Sequence, residues 1–241
     1  MASGGDKLTK SRMNSLHSKG TSSWLKAVPN SKLKKPSDKQ FEYSCKFRGG
    51  FQMHQNLSPK CVCGSSVDRF GHHFFSCKKL GSRHVRHKLV LESVSHRCAQ
   101  SGLAITMENL IPQGRTDIAF HNLDSLLSHG DVSITHPCAK TYLDGAAAAA
   151  GSASLARERV KIEKYVPRLP PNTPFYPLIM ESYGRFGKQF QVFLQRISSE
   201  FQSRRGSAAL VQFKLNFLQD LSCALQKGNA AILDEGLRRM L

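Results

Sequence analysis

The run CVCGSSVDRFGHHFFSC, at positions 61–77, gathers Cys61, Cys63, His72, His73 and Cys77 in one short stretch. Zinc prefers thiolates and imidazoles, and three cysteines with one histidine fill its tetrahedron without leaving an open position for chemistry. A structural zinc site is therefore expected from Cys61, Cys63, Cys77 and one of the two histidines. His73, which leaves three residues before Cys77, is preferred; His72, which leaves four, is the alternative. Gly64 and Gly71 allow the tight turns that would bring the ligand pairs together. The Cys-x-Cys pair is shorter than the usual zinc spacing, and the competing reading is a set of free buried cysteines beside a stray histidine pair.

A second constellation is acidic. Asp117 lies in GRTDIAF and Asp131 in GDVSIT, each within a short run rich in apolar or β-branched residues. Two carboxylates on neighbouring strands can share a divalent ion, and Mg²⁺ held by one or two carboxylates plus a substrate phosphate suits phosphodiester hydrolysis. Glu181 ends the apolar run PLIM, where a carboxylate costs free energy unless a cation or donor meets it. Lys161 and Lys164, in the charged stretch before it, could orient a water or stabilise charge on the phosphoryl oxygens. Acids between strands more often face water or cap turns, and lysines more often stand in solvent, so only the combination points to chemistry.

These side chains need elements to position them. Val90, Leu91, Val94 and Cys98 recur at helical spacing with Gly102 as a stop, predicting a helix over 83–101. Extended runs over 103–107, 115–120 and 131–135 predict a three-stranded meander. The Ala-rich stretch 144–154 reads as a linker or the first turns of a helix, 157–165 as a charged helix, and the Pro-rich run 167–177 as a break before a strand over 178–181. Phe186, Phe190, Phe193, Leu194, Ile197 and Phe201 share one helical stripe, and helices over 207–226 and 229–240 are expected to cover the sheet. The polar, basic residues 1–21 are expected to be a disordered tail. Residues 22–60 read as a basic linker and docking segment whose anchor is Trp24, the only tryptophan.

A chain of 241 residues fits one or two domains. Its formal charge is +18, and residues 1–100 hold 19 basic and 5 acidic side chains against 16 and 12 in the remainder. Positive charge clustered in one half suits phosphate contact along a nucleic acid and exceeds what a small acidic substrate needs. Lys32, Lys34 and Lys35 form one basic cluster; Arg69, Lys78, Lys79, Arg83 and Arg86 flank the cysteine run, as expected if it lies on phosphates. The seven cysteines, with no secretory signal at the start, read as metal binding in a reducing compartment. No apolar run approaches the ~18 residues of a membrane span, so no membrane partner is expected.

In order, SSWLKAVP, CVCG…GHHFFSC, RHVRHKLV, GRTDIAF, GDVSITHP, ERVKIEKY and FYPLIMESYG resemble the C-terminal region of non-LTR retrotransposon proteins, from about Ser22 to Ser198. In that family a zinc knuckle precedes a restriction-like endonuclease of the PD-(D/E)XK type. The resemblance implies a zinc knuckle over 61–80 and an α/β nuclease domain over 83–205 with a restriction-endonuclease-like αβββαβ core and mixed sheet; the C-terminal helices read from the sequence, over 206–241, follow it. It also implies Mg²⁺-dependent nicking of duplex DNA in the nucleus, with element RNA as a further partner and fusion to a reverse-transcriptase domain whose motifs are not seen in this chain. Asp117 matches the aspartate of the family's PD strand, Asp131 the acid of the next strand and Glu181 the acid of a later one. Lys161 or Lys164 would be the catalytic lysine, moved to a helix. Thr116 replaces the usual proline, and Ser133 stands where a lysine would complete the strand motif. The alternative is a catalytically inactive zinc-knuckle module, or a degenerate fragment of a retroelement, that binds DNA or RNA on a nuclease scaffold. A third reading makes the Phe-rich helix a face for a protein partner.

Overall fold

Period-2 alternation along the strands divides the sheet into an apolar and a polar face, and that division decides where the strand-borne carboxylates point. The computed structural model describes residues 4–55, 58–123 and 126–240. The helices are α1 (Gly4–Leu16), α2 (Asp38–Gly49), α3 (Ser82–Gln100), α4 (Leu143–Ala148), α5 (Ser152–Tyr165), α6 (Lys188–Arg205) and α7 (Leu210–Arg238). The strands are β1 (Ala104–Ile111), β2 (Gly114–Leu123), β3 (Leu126–Thr135) and β4 (Phe175–Glu181), in the sheet order β1-β2-β3-β4. β1, β2 and β3 pair antiparallel, and β4 joins β3 in parallel after a crossover through α4 and α5. The fold is α/β, a four-stranded mixed sheet with flanking helices.

Ile118, Phe120, Val132, Leu178 and Met180 line the apolar face. They pack on Val90 and Val94 of α3, Phe190, Phe193 and Ile197 of α6, and Phe217 and Leu221 of α7. The opposite face carries Asp131, Ser133 and Glu181 and is crossed by α5. A second core joins the cysteine run to both ends of the chain: Phe47 stacks between Phe75, at 4.5 Å, and Tyr183, at 4.4 Å, with Phe74, Leu80, Ile232 and Leu233 around them.

Three expectations are corrected here. The N-terminal segment contains a helix, α1; residues 1–3 lie outside the described residues. Leu8 and Leu16 of α1 pack on the second core, and the helix completes its docking with small buried residues, Ser11 and Ser15, and polar contacts. Asn14 Nδ2 donates to the carbonyls of Ala146 and Ala147 in α4, while Arg185 donates to the carbonyls of Asn14 and His17. Second, residues 22–60 are not linker throughout: Ser37 and Gln40 form a reciprocal capping box that starts α2. Trp24 is buried, and its backbone N–H donates to Ser222 Oγ at 3.2 Å. Third, the helices expected over 207–226 and 229–240 are one, α7. Gly228 lies within it because a Cβ there would meet Arg86 Cγ at 2.4 Å and Arg86 Cα at 2.6 Å. That glycine serves close packing against α3 and does not end a helix. Among the described residues, no helix is long and apolar enough to cross a membrane.

Candidate metal centre and carboxylate site

The cysteine run folds on a short bridge between Lys60 and Ser66. Cys61 N–H donates to Ser65 O at 2.9 Å and Gly64 N–H to Cys61 O at 2.7 Å, with Gly64 at a φ of 82° that glycine adopts without strain. The Asp68 carboxylate accepts the backbone N–H groups of Phe70, His72 and His73, which shapes the second turn. Cys61 Sγ then lies 3.6 Å from Cys77 Sγ and Cys63 Sγ lies 3.3 Å from His73 Nε2; the four ligand atoms fall within 4.8 Å of one another. Zinc–sulfur bonds of about 2.3 Å place tetrahedral sulfurs ~3.8 Å apart, so this group could hold a metal such as zinc. Burial holds the Cys61 thiol up at about 11, whereas hydrogen bonding to Ser65 brings Cys63 down to about 6.

His72 turns away from the cysteines, which corrects its place as the alternative ligand. Its Nδ1 lies 3.2 Å from His136 Nε2, and His136 Nδ1 lies 2.7 Å from Ser182 Oγ. His72, His136 and Cys138 form a second close group. There Cys138 Sγ already meets Leu8 O, Ser11 Oγ and the Tyr183 hydroxyl at 3.6–3.7 Å, so each member has a protein partner.

The carboxylate site forms where β2 and β3 part. Their pairing runs Phe120↔Ser128, Ala119↔His129, Ile118↔Gly130, and one further step sets Asp117 opposite Asp131. There Val132 N–H donates to Asp117 Oδ2, at 2.7 Å, instead of to a β2 carbonyl. The same oxygen lies 3.0 Å from His87 Nε2, and this hydrogen bond, against burial, raises the His87 pKa. Asp131 is buried, and its Oδ2 is ion-paired to Lys161 Nζ. Tyr165 closes the group: its ring lies 5.5 Å from Lys161 Nζ and its hydroxyl accepts from Lys164 Nζ at 3.1 Å. Burial, then Asp131, raises the Tyr165 pKa.

α5 runs opposite to β3 and β4, so its residues meet the sheet in reverse order. Ser154 meets Glu181, Arg157 meets Ser133 and Lys161 meets Asp131. Arg157 Nε donates to Ser133 Oγ at 3.0 Å, so a cation from the helix serves that strand position. Lys161 therefore joins Asp131 directly, while the exposed Lys164 reaches the group only through Tyr165.

Glu181 is not brought to the aspartates. Asp131 is in register with Pro177, and Glu181 lies four residues further along β4, ~13 Å at strand rise. Its Oε1 accepts the Ser154 N–H at 3.2 Å, at the start of α5. Two other helices whose N-cap residue is likewise an uncapped glycine are served in the same way. Glu158 accepts the Gln189 N–H of α6 at 2.9 Å, and Glu235 accepts the Ser82 N–H of α3 at 2.8 Å.

The basic residues separate by burial. Lys34 is buried against Asp220, at 3.5 Å, with Asn216 and Gln219, and Arg86 is buried with Asn229, its guanidinium 5.5 Å from the Phe75 ring centre. Both are corrected from phosphate contacts to internal ties; burial lowers the Arg86 pKa to about 9. Arg83 is half-buried, while Lys32, Lys35, Arg69, Lys78 and Lys79 are exposed.

Sequence reasoning did not single out His87 or Tyr165. The signal was present: His87 falls on the stripe of Val90, Leu91 and Val94, and Tyr165 lies one helical turn after Lys161. A scan against protein-family models and a search of curated proteins both return no match for this chain.

Proposed function

We propose that the chain is a metal-dependent DNA endonuclease of the restriction-like kind, nicking duplex DNA as the non-LTR retrotransposon resemblance implies. The observation that carries this reading is the meeting of Asp117 and Asp131 where two strands part, with Lys161 against Asp131. With two carboxylates presented together, the residues fit Mg²⁺.

Asp117 and Asp131 would hold the ion, which when bound polarises the scissile phosphate. Lys161 places positive charge beside Asp131, where it can stabilise charge on the phosphoryl oxygens or orient the attacking water. Tyr165 packs against Lys161 and restricts it to that side of the sheet. Lys32, Lys35, Arg69, Lys78 and Lys79 stand in solvent, where they can neutralise DNA phosphates. The Cys61, Cys63, His73, Cys77 group is read as a structural zinc site that braces the second core, and the protein as nuclear, with element RNA as a second partner.

The test is nicking of supercoiled plasmid by the purified chain with Mg²⁺, beside Asp117→Asn. The expected outcome is nicking by the unaltered chain only, with duplex affinity retained in the variant. DNA binding without cleavage under any divalent metal would favour the zinc-knuckle binding module. One observation speaks for that second reading: Arg157 and Lys161 already supply protein cations to Ser133 and Asp131.

A further inference from the structure

The endonuclease reading leaves one polar side chain at the carboxylate site without a task. His87 projects from α3, whose Val90, Leu91 and Val94 are fixed in the main core, so it reaches the site from rigid scaffold. Its side chain is 34% exposed and that of Asp117 24%, so both stand at the mouth of the site, open to an ion arriving from solvent. Asp117 Oδ2 is met from two elements, by the Val132 N–H of β3 at 2.7 Å and by His87 Nε2 of α3 at 3.0 Å. Two donors fill that oxygen's in-plane lone pairs and leave Oδ1 as the oxygen free to meet a cation. A carboxylate held by one donor can swing about that bond, whereas two donors from separate elements fix its plane.

We propose that His87 is a positioning residue for the divalent-ion site, holding Asp117 so that its free oxygen faces the ion shared with Asp131. The proposal rests on the endonuclease reading for the place of the ion and needs no assumption about the nucleic acid. Partners that orient metal ligands in this way are worth 10- to 100-fold in metal affinity.

The test is Mn²⁺ binding to the full chain with its cysteine site zinc-loaded, without DNA, followed by electron paramagnetic resonance. The unaltered chain is compared with Asp117→Asn, His87→Ala, His87→Phe and His87→Gln. Binding by the unaltered chain should vanish in Asp117→Asn. His87→Ala and His87→Phe, which remove the donor, should weaken it about tenfold or more, while His87→Gln, which keeps an N–H donor of similar reach, should stay within about threefold. His87→Phe preserves ring bulk and decides the matter if the alanine variant fails to fold. In nicking assays the Mg²⁺ concentration for half-maximal rate should rise in step, with a smaller change at saturating Mg²⁺. Unchanged or tighter Mn²⁺ binding by folded His87→Ala or His87→Phe, with binding still abolished by Asp117→Asn, would overturn the proposal alone. Absence of Mn²⁺ binding by the unaltered chain would overturn both it and the endonuclease reading.

Discussion

At the scale of single residues, the pair Asp131 and Lys161 changes what neutralisation should do. Acids gathered on neighbouring strands would repel one another if nothing met them, and removing a charge would then stabilise the protein without metal. The structure instead gives Asp131 a buried counter-charge, the two side chains being 4% and 11% exposed. Asp131→Asn is therefore expected to destabilise the metal-free chain by about 3 kcal/mol, because Lys161 is left charged and desolvated. Adding Lys161→Met should recover part of that loss, giving a coupling visible in urea unfolding of the two single variants and the double variant. If Asp131→Asn unfolds at the same or a higher urea concentration than the unaltered chain, the ion pair does not contribute in solution. Either variant should also lose cleavage, since each removes a group placed at the proposed ion site.

At the scale of elements, distant acids do what local caps do not. α3, α5 and α6 each begin after a glycine without a side-chain cap, and Glu235, Glu181 and Glu158 supply oxygens to their first N–H groups. A carboxylate at a helix N-terminus also opposes the helix dipole favourably. Glu181 therefore explains its own burial without belonging to the aspartate group, and it acts on the site by fixing the start of the helix that carries Lys161. Glu181→Gln keeps an oxygen for Ser154 N–H and should cost about 0.5–1 kcal/mol, whereas Glu181→Ala, which leaves that donor unmet, should cost about 2 kcal/mol. The nicking rate of Glu181→Gln should stay within several-fold of the unaltered chain. A hundredfold loss of rate in a stably folded Glu181→Gln would instead place this carboxylate in the reaction.

At the scale of the whole molecule, the cysteine run is built into a core with both ends of the chain. Phe74 and Phe75 lie between the proposed zinc ligands His73 and Cys77 and pack with Phe47, Ile232 and Leu233. The buried thread from His136 through Ser182 to Asn229 and Arg86 ties the strand β3 exit to α7 and α3. Loss of metal should therefore loosen distant segments as well as the knuckle. Cys63→Ser is expected to lower zinc content below the roughly one ion per chain of a closed four-ligand site. Amide exchange should then quicken in α2 and the C-terminal half of α7 as well as in 61–80. Full protection of α2 and α7 in a zinc-free chain would show that the second core stands without its metal.

The sequence by itself determined the αβββαβ order of elements and the grouping of Cys61, Cys63 and Cys77 with a histidine pair, while the fold decided that His73 is the histidine beside them. The order and the grouping rest on spacing within a few turns of chain: alternation along a strand, a helical stripe, or ligands separated by tight turns. Asp117 and Asp131 could be paired from the same local logic, because a short meander sets neighbouring strands side by side. Only the tertiary structure decided which charges are internal. Lys34 and Arg86 looked like surface cations until α7 supplied Asp220 and Asn229 from the far end of the chain. It also decided that Glu181 meets Ser154 while Lys161 meets Asp131, since that depends on the direction in which α5 crosses the parallel pair β3 and β4. Helix α1 offers only the separated Leu8 and Leu16 to the second core, and its docking also depends on carbonyls of α4 and on Arg185, over a hundred positions away. Local spacing reports which face a side chain takes; what that face then meets depends on how distant segments pack.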